Sequence, residues 1–450
     1  MSSPGDRGSL WWTTSLLTWA AGCAGDATHA SPAATFANGD GGGGAGIPSS
    51  ADAGVAGGAQ DVSGIVVSLA TGRPLESRTV VVGGRRAITD GNGAFTLPGV
   101  AAVYDAVVVD PDGTVISVYR GLQRRDPLLT HAGAPTPAHA GSVDGDLSGG
   151  NNYPLAPTDL VTVQFVAPQA NQFSPLGGLL STAQLGPEYG PIPLQWAGPD
   201  TLTGDLSAFA TFAAADGGAS SWFVHQALTV GDGQTAVADL VLAQVTQVVH
   251  VSGTMQPGSQ DYGVSKEAFY RLPIPNSRID VPIAQGATFD DDVPDLGDAG
   301  AELCVGAVGT AAAVLTEQCG ITPGQTPFAL TLQAIPAVSS PADGAMVTKD
   351  TPLSWAGVDR GVYLLQFAPL AESAVTPRID VFTAGTSAIW PDLTVAGVAF
   401  PSETNYEWTV GAFGPFASID DALGPQGIGA PLPTEIRRSY STIIHLATAP

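Results

Sequence analysis

Six acidic side chains lie close together in the sequence between positions 290 and 302. They are Asp290, Asp291, Asp292, Asp295, Asp298 and Glu302. Calcium binds six to eight oxygen atoms from carboxylates and carbonyls on a flexible loop, so a calcium site is one interpretation of this segment. Asp295 stands where an EF-hand loop needs its turn glycine, and a solvated acidic loop without a metal is the other interpretation. No other cofactor is indicated.

Tryptophan side chains offer flat faces on which a sugar ring can stack. Three of them lie in strand-like runs, which is more typical of packing in a core: Trp196, Trp355 and Trp408. Trp222 follows a run of glycine and serine, and Trp390 precedes a proline. We therefore expect Trp222 and Trp390 to be exposed, and they are the candidates for ligand stacking. Core packing is the alternative for both.

The sequence contains no pattern of a familiar enzyme mechanism. The histidines are His29, His131, His139, His225, His250 and His445. None has a glutamate three residues on, so both the zinc carboxypeptidase pair and the H-E-x-x-H motif are missing. G-x-S-x-G and P-loop motifs are also missing. We predict a protein that is not an enzyme, with a hydrolase of unrecognised pattern as the alternative.

The N-terminal 23 residues have the pattern of an export signal. Arg7 precedes an apolar segment at 10–21, which is too short to span a bilayer and is typical of a signal peptide. The segment ends Ala20-Ala21-Gly22-Cys23. This ending resembles the lipobox of bacterial lipoproteins, which implies that Cys23 is acylated and anchors the mature chain to a membrane. Secretion with cleavage nearby is the alternative.

Two further features agree with export. Residues 24–60 are rich in glycine, alanine and serine, so we predict a flexible, disordered linker. Cys304 and Cys319 lie on two short strand-like runs around a glycine-containing turn, which would bring their sulfurs together. We predict a disulfide between them, because exported proteins are oxidised. Two separate buried thiols are the alternative.

The chain is strongly acidic. It has 41 acidic and 16 basic residues and a net charge of −25, and residues 131–250 contain nine acids and neither lysine nor arginine. Such a surface repels phosphate backbones, which excludes nucleic acid as a partner. The acidity provides solubility on one interpretation and cation binding on another.

Residues 61–130 alternate between short β-branched runs and turns. The dipeptides Asp90-Gly91 and Asp112-Gly113 are typical of turns between paired strands. The strands recur about every ten residues, which favours a β-sandwich over parallel βαβ units.

The same stretch resembles a carboxypeptidase regulatory-like domain. The matching positions are Val62, Gly64, Val66, Gly72, Pro74, Leu75, Val80, Val81, Val82, Thr89, Asp90, Gly93, Phe95 and Leu97. The resemblance implies a transthyretin-like fold and a non-catalytic appendage or surface module.

The start of this module recurs twice. A Val-x-Gly-x pattern occurs at Val62, Val143 and Val251, and we expect each copy to begin a module in its first strand. We predict modules at 61–130, 140–248, 249–335 and 336–450. The last resembles a fibronectin type III domain through Trp355 and the aromatic run 406–410.

The predicted fold is all-β, with tandem antiparallel β-sandwich modules behind a disordered linker. We predict a non-catalytic, exported and lipid-anchored protein of the outer membrane, cell surface or periplasm. It would act in adhesion, display or envelope scaffolding, with other envelope proteins or polysaccharide as partners. The alternative is a carbohydrate-binding protein that uses exposed tryptophans and calcium.

Overall fold

Short β-branched runs between glycine-, proline- and aspartate-containing turns form strands along the chain. The computed structural model describes residues 58–449 except for 70–71, 73, 134–138, 150–159, 168–170, 173–176, 182–187, 198, 214–218, 257–262, 272–277, 282, 297–300, 310–312, 323–326, 371–375 and 430–434. The signal segment, Cys23 and most of the linker lie outside these residues. The described residues form β-sheets with very little helix, which confirms the predicted all-β fold class.

The first unit contains two packed sheets. Its strands are β1 (Gln60–Ser68), β2 (Thr79–Val82), β3 (Arg85–Ile88), β4 (Ala94–Val100), β5 (Tyr104–Val109), β6 (Val115–Leu122) and β7 (Leu128–His131). One sheet has the order β4-β1-β7, and the other has the order β3-β2-β5-β6. β1 is antiparallel to β4 but parallel to β7.

The second unit has the same plan with two additions. Its strands are β8 (His139–Gly149), β9 (Leu160–Val166), β10 (Asn171–Gln172), β11 (Gly177–Ser181), β12 (Glu188–Ala197), β13 (Thr201–Ala213), β14 (Ala219–Gly231), β15 (Thr235–Val237) and β16 (Leu240–Val245). β8 is antiparallel to β12 and parallel to both β15 and β16. The second layer has the order β11-β9-β13-β14, and β10 extends the first layer beside β12. β16 also pairs with β14, so the two layers are joined in one nine-stranded sheet.

The third unit repeats the topology of the first. Its strands are β17 (Val248–Gln256), β18 (Val264–Arg271), β19 (Ile279–Val281), β20 (Thr288–Pro294), β21 (Glu302–Gly309), β22 (Val314–Cys319) and β23 (Phe328–Thr331). The orders are β20-β17-β23 and β19-β18-β21-β22, again with the first and last strands parallel.

The fourth unit has a different strand order. Its strands are β24 (Val338–Ser340), β25 (Ala345–Val347), β26 (Leu353–Trp355), β27 (Val362–Pro369), β28 (Arg378–Thr383), β29 (Ser387–Ala388), β30 (Asn405–Gly414), β31 (Glu435–Tyr440) and β32 (Ile444–Thr448). A single-turn helix, α1 (Ile419–Ala422), follows β30. β24, β26 and β29 form one layer, while β28, β27, β30 and β31 lie in the other.

The fourth unit is joined to the first and the third by strand pairing. β28 pairs in parallel with β6 of the first unit, and β31 pairs antiparallel with β22 of the third. The result is a fourteen-stranded sheet that runs through three units. The sequence pattern predicts the sandwiches but not this shared sheet. The shared sheet tests neither the predicted domain boundaries nor the two family resemblances, which stay predictions.

The junction between β6 and β28 is buried on both faces. Tyr119 and Phe382 lie in register and stack at 5.0 Å in the core under the β4-β1-β7 sheet. Val118 and Val381 point to the opposite face, in the core shared with Trp355 and Trp408. An edge strand of one sandwich thus becomes an interior strand of a three-layered body.

Candidate functional site

The predicted acidic loop is partly a strand. Asp290, Asp291 and Asp292 lie in β20, where successive side chains point to opposite faces. Asp290 and Asp292 are exposed and flank His250 on β17, with oxygen–nitrogen distances of 3.4 and 3.0 Å. Asp291 points into the sandwich. The expectation of a loop is therefore wrong for these three residues, because the β17–β20 pairing sends their carboxylates in different directions.

Asp291 forms a buried ion pair across the third sandwich. Its Oδ2 atom lies 2.6 Å from Nζ of Lys266, and the two side chains are 8% and 3% exposed. Nζ also donates to the carbonyl oxygen of Thr288 at 2.7 Å. Burial alone would raise the pKa of Asp291, but hydrogen bonds from Lys266 and from the amides of Ala284 and Asp290 lower it below its usual value. The carboxyl group of Asp291 is therefore ionised, and its contact with Lys266 ties β18 to β20.

The two remaining acids that the structure describes have partners of their own. The amide of Asp295 donates to the carbonyl of Gln247, and Glu302 on β21 pairs with Arg271 at 2.6 Å. Asp298 lies outside the described residues. Among those described, possible metal-ligand atoms converge at Glu302, Cys304 and Cys319, but both sulfurs are in a disulfide. The described acids therefore offer no converging set of carboxylate oxygens, and the calcium interpretation stays a prediction.

The disulfide prediction is confirmed. Cys304 and Cys319 are directly opposite each other on β21 and β22 and are bonded. Phe269 packs on the bridge, and the guanidinium of Arg278 lies 3.8 Å from the centre of that ring. The bridge fixes the hairpin whose outer strand, β22, pairs with the fourth unit.

The prediction that Trp222 and Trp390 are exposed is wrong. Their side chains are 5% and 4% exposed. Trp222 lies in β14, which begins at Ala219, and it packs against Phe212 in the core of the second unit. Trp390 packs against Phe367, with ring centres 4.7 Å apart. Neither presents a face for a sugar, and Trp196, Trp355 and Trp408 are buried as predicted.

A Ser–His–Asp constellation that the sequence analysis missed lies in the first unit. Oγ of Ser117 is hydrogen-bonded to Nδ1 of His131 at 2.7 Å, and Nε2 of the same ring lies 3.2 Å from Oδ1 of Asp110. Arg78 approaches that carboxylate at 2.5 Å. The three residues come from β6, β7 and the turn after β5, and the sequence spacing carries no signal for their meeting.

This constellation has the residue types of a hydrolase triad, but the serine and the aspartate have exchanged ring nitrogens and the site lacks the exposure of a triad. A nucleophilic serine must be open to substrate and close to donors for an oxyanion. Ser117 and His131 are both 0% exposed. Ser117 lies in register with Asp380 of the fourth unit, which is also 0% exposed. The arrangement therefore acts as a buried polar clasp that holds β7 to the β5–β6 turn at the junction between units.

A second set of polar contacts holds the first unit to the fourth. The backbone amides of Gln123 and Arg124 donate to Oδ1 of Asp420 at 3.0 and 3.1 Å. Nη1 of Arg124 donates to the backbone carbonyl oxygen of Asp420. The amide of Leu128 donates to the carbonyl of Leu423. The end of β6 and the start of β7 are therefore docked on helix α1.

The recurring Val-x-Gly-x pattern lies in the first strand of each of the first three units. A methyl group at Gly64 would lie 2.5 Å from the carbonyl oxygen of Pro127, just before β7. At Gly253 it would lie 2.5 Å from the Phe328 ring on β23, and at Gly145 it would overlap the carbonyl of Ala238 between β15 and β16. Each glycine thus lets the first strand approach the last strand of its unit closely.

Comparisons with known proteins do not assign a family. No family model matches the chain, and no curated protein matches it. None of the described helices is long and apolar enough to cross a membrane.

Several solved structures are similar to parts of the chain at a very low level. A minor pilin of Streptococcus agalactiae is 9% identical with a TM-score of 0.18, over 42% of this chain and 97% of the pilin. A candidate adhesin of Bacteroides ovatus is 8% identical with a TM-score of 0.16, over 38% and 72% of the two chains. The TIE protein of Bacillus anthracis is 9% identical with a TM-score of 0.14, over 61% of this chain and 50% of that one. Similarity of this size carries no conclusion about fold or function.

Proposed function

We propose that the chain is a non-catalytic structural protein of the bacterial envelope, exported and anchored through a lipid on Cys23. It holds a rigid β-body at the outer membrane or cell surface, where it serves adhesion, display or scaffolding. The linker 24–60 separates this body from the membrane, and its partners are other envelope proteins.

The shared sheet is the observation that carries this proposal. Pairing of β6 with β28 and of β22 with β31 joins three sandwiches edge to edge. Separate modules on flexible linkers would need neither contact. A protein that moves a substrate or closes on a ligand needs elements that open at low cost, whereas this sheet fixes its units relative to one another.

The polar groups that could do chemistry support the same role. The Ser117–His131–Asp110 clasp and the Lys266–Asp291 pair are sealed between layers. The tryptophans that would have supported carbohydrate binding are in cores. Protein partners are therefore favoured over polysaccharide.

Localisation of the full chain in a lipoprotein-processing bacterium tests the proposal. Cells express the chain or its Cys23→Ala variant and are labelled with a clickable fatty acid, fractionated, and treated intact with protease. We expect fatty-acid label and membrane fractionation for the parent and loss of both for Cys23→Ala. Retention of the parent in the cytoplasm, or equal labelling of the two proteins, contradicts the proposal.

A further inference from the structure

In every unit of the described chain, a strand near its start is paired in parallel with a strand at its end. β1 pairs with β7, β17 with β23, and β25 with β32. In the second unit, β8 pairs with β15 and then with β16. The fourth unit, whose strand order differs, keeps this one feature.

The direction of these pairs decides how the fold responds to tension. The chain enters a parallel pair at one end and leaves it at the other, so pulling on the chain slides the two strands past each other. All hydrogen bonds of the ladder then carry the force together. In an antiparallel pair the chain enters and leaves at the same end, so the bonds break one at a time.

We infer that this protein bears mechanical tension between its N-terminal anchor and whatever its body holds. The β1–β7 pair of the first unit lies next to the anchor, and it is loaded lengthwise when the chain is pulled at both ends of that unit. Only two residues separate β16 from β17, so tension leaving the second unit enters the third directly. The claim that the protein bears tension in the cell rests on the proposed surface role, whereas the resistance of parallel strand pairs to tension follows from the fold.

Close packing reinforces the terminal pairs. Gly64 and Gly253 lie where any side chain would push the two strands apart. In the first unit, the amides of Ser63, Ile65 and Leu69 donate to the carbonyls of Arg125, Pro127 and His131. His131 is itself held by the buried clasp to Ser117 and Asp110, so the end of β7 is fixed at the point where tension reaches it.

Single-molecule pulling on the full chain tests the inference by changing the direction of force on one strand pair. Cys23→Ser leaves engineered cysteines as the free thiols for attaching handles. Asp61→Cys with Ala132→Cys pulls β1 and β7 lengthwise, whereas Asp61→Cys with Asp126→Cys pulls them apart from one end. Both variants load the same strand pair, so they control for each other.

We expect a rupture force several-fold higher for the lengthwise pair than for the peeling pair at the same loading rate. Equal forces would overturn the inference. Val248→Cys with Ala334→Cys, compared with Val248→Cys with Pro327→Cys, repeats the test on β17 and β23 should a handle disturb the first unit. If the parent chain is not labelled by the fatty acid but the two pulling directions give different forces, the surface proposal alone is rejected. If the parent chain is labelled but the two forces are equal, the mechanical inference alone is rejected.

Discussion

Replacing Gly64 by alanine should loosen the terminal strand pair of the first unit. The new methyl group would lie 2.5 Å from the Pro127 carbonyl oxygen and 2.8 Å from the Phe95 ring. Carbon–oxygen contacts in sheets are about 3.3–3.6 Å, so β1 must move by about 1 Å. Such a shift breaks the 3.0 Å hydrogen bond from the Ile65 amide to the same carbonyl.

The free-energy cost follows from these contacts. Overpacking costs about 1–3 kcal/mol, and each weakened hydrogen bond costs about 1 kcal/mol. Restricting the unfolded chain returns about 0.4–1 kcal/mol. The free energy of opening the pair should therefore fall by about 1–3.6 kcal/mol, which is roughly a 5- to 400-fold loss of amide protection.

Hydrogen exchange of the full chain, followed in peptides covering 60–68 and 128–131, measures this loss. Gly91→Ala is the matched control, because a methyl group at Gly91 meets nothing within 4 Å and the substitution has the same effect on the unfolded chain. Equal protection in Gly64→Ala and Gly91→Ala would refute the role given to the recurring glycine.

Further predictions concern the ties between layers and units. Lys266→Met should lower stability to urea by about 3–5 kcal/mol because Asp291 stays buried without its partner; adding Asp291→Leu should recover most of the loss, and no recovery would contradict a charged pair. Folding lowers the pKa of Asp291 below its ordinary value of 3.8, so the ion pair stabilises the fold above about pH 4 and this stabilisation is lost as the pH falls through the folded-state pKa. The free energy of unfolding of Asp291→Leu should therefore depend less on pH in the acid range than that of the parent, and identical pH dependence in the two proteins would argue against the ion pair. Reducing the Cys304–Cys319 bridge, which closes a 15-residue separation, should cost about 3 kcal/mol and speed exchange in β21 and β22, whereas unchanged exchange would show that the hairpin is held without it. Asp420→Ala should speed exchange at residues 122–128 but not in β2, and a uniform effect would place Asp420 outside the junction.

Local patterns predicted the elements well. The turns at 90–93 and 110–113, the β-branched runs between them and the three Val-x-Gly starts all lie where the sequence places them. The disulfide was predictable because two strand-like runs around a short turn bring residues 304 and 319 opposite each other. These features depend on residues close together in the chain.

The exposure of side chains was less predictable. Trp222 and Trp390 were expected at the surface because glycines precede the one and a proline follows the other. Trp222 instead lies within strand β14, and aromatic rings cover Trp390. The acidic run was expected to be a loop, although β20 splits its members between two faces. Burial here depends on a facing layer that no local pattern reveals.

Contacts between distant units could not be predicted from the sequence. Ser117 and Asp380 are brought into register by a strand pairing that spans most of the chain. The same holds for the contacts of Arg124 with Asp420. Their residue types are ordinary for solvated strand ends, so only the fold identifies them as a junction.

Hydrogen exchange of β6 in the full chain tests the shared sheet most directly. If the first and fourth units are joined, amides across residues 115–119 lie between β5 and β28 and should exchange as slowly as those of β27. If the sandwiches are separate, β6 is an open edge, and the alternate amides that face β28 should exchange rapidly. Slow exchange at all of residues 115–119 is the result predicted here, and rapid exchange at every second amide of this range would contradict it.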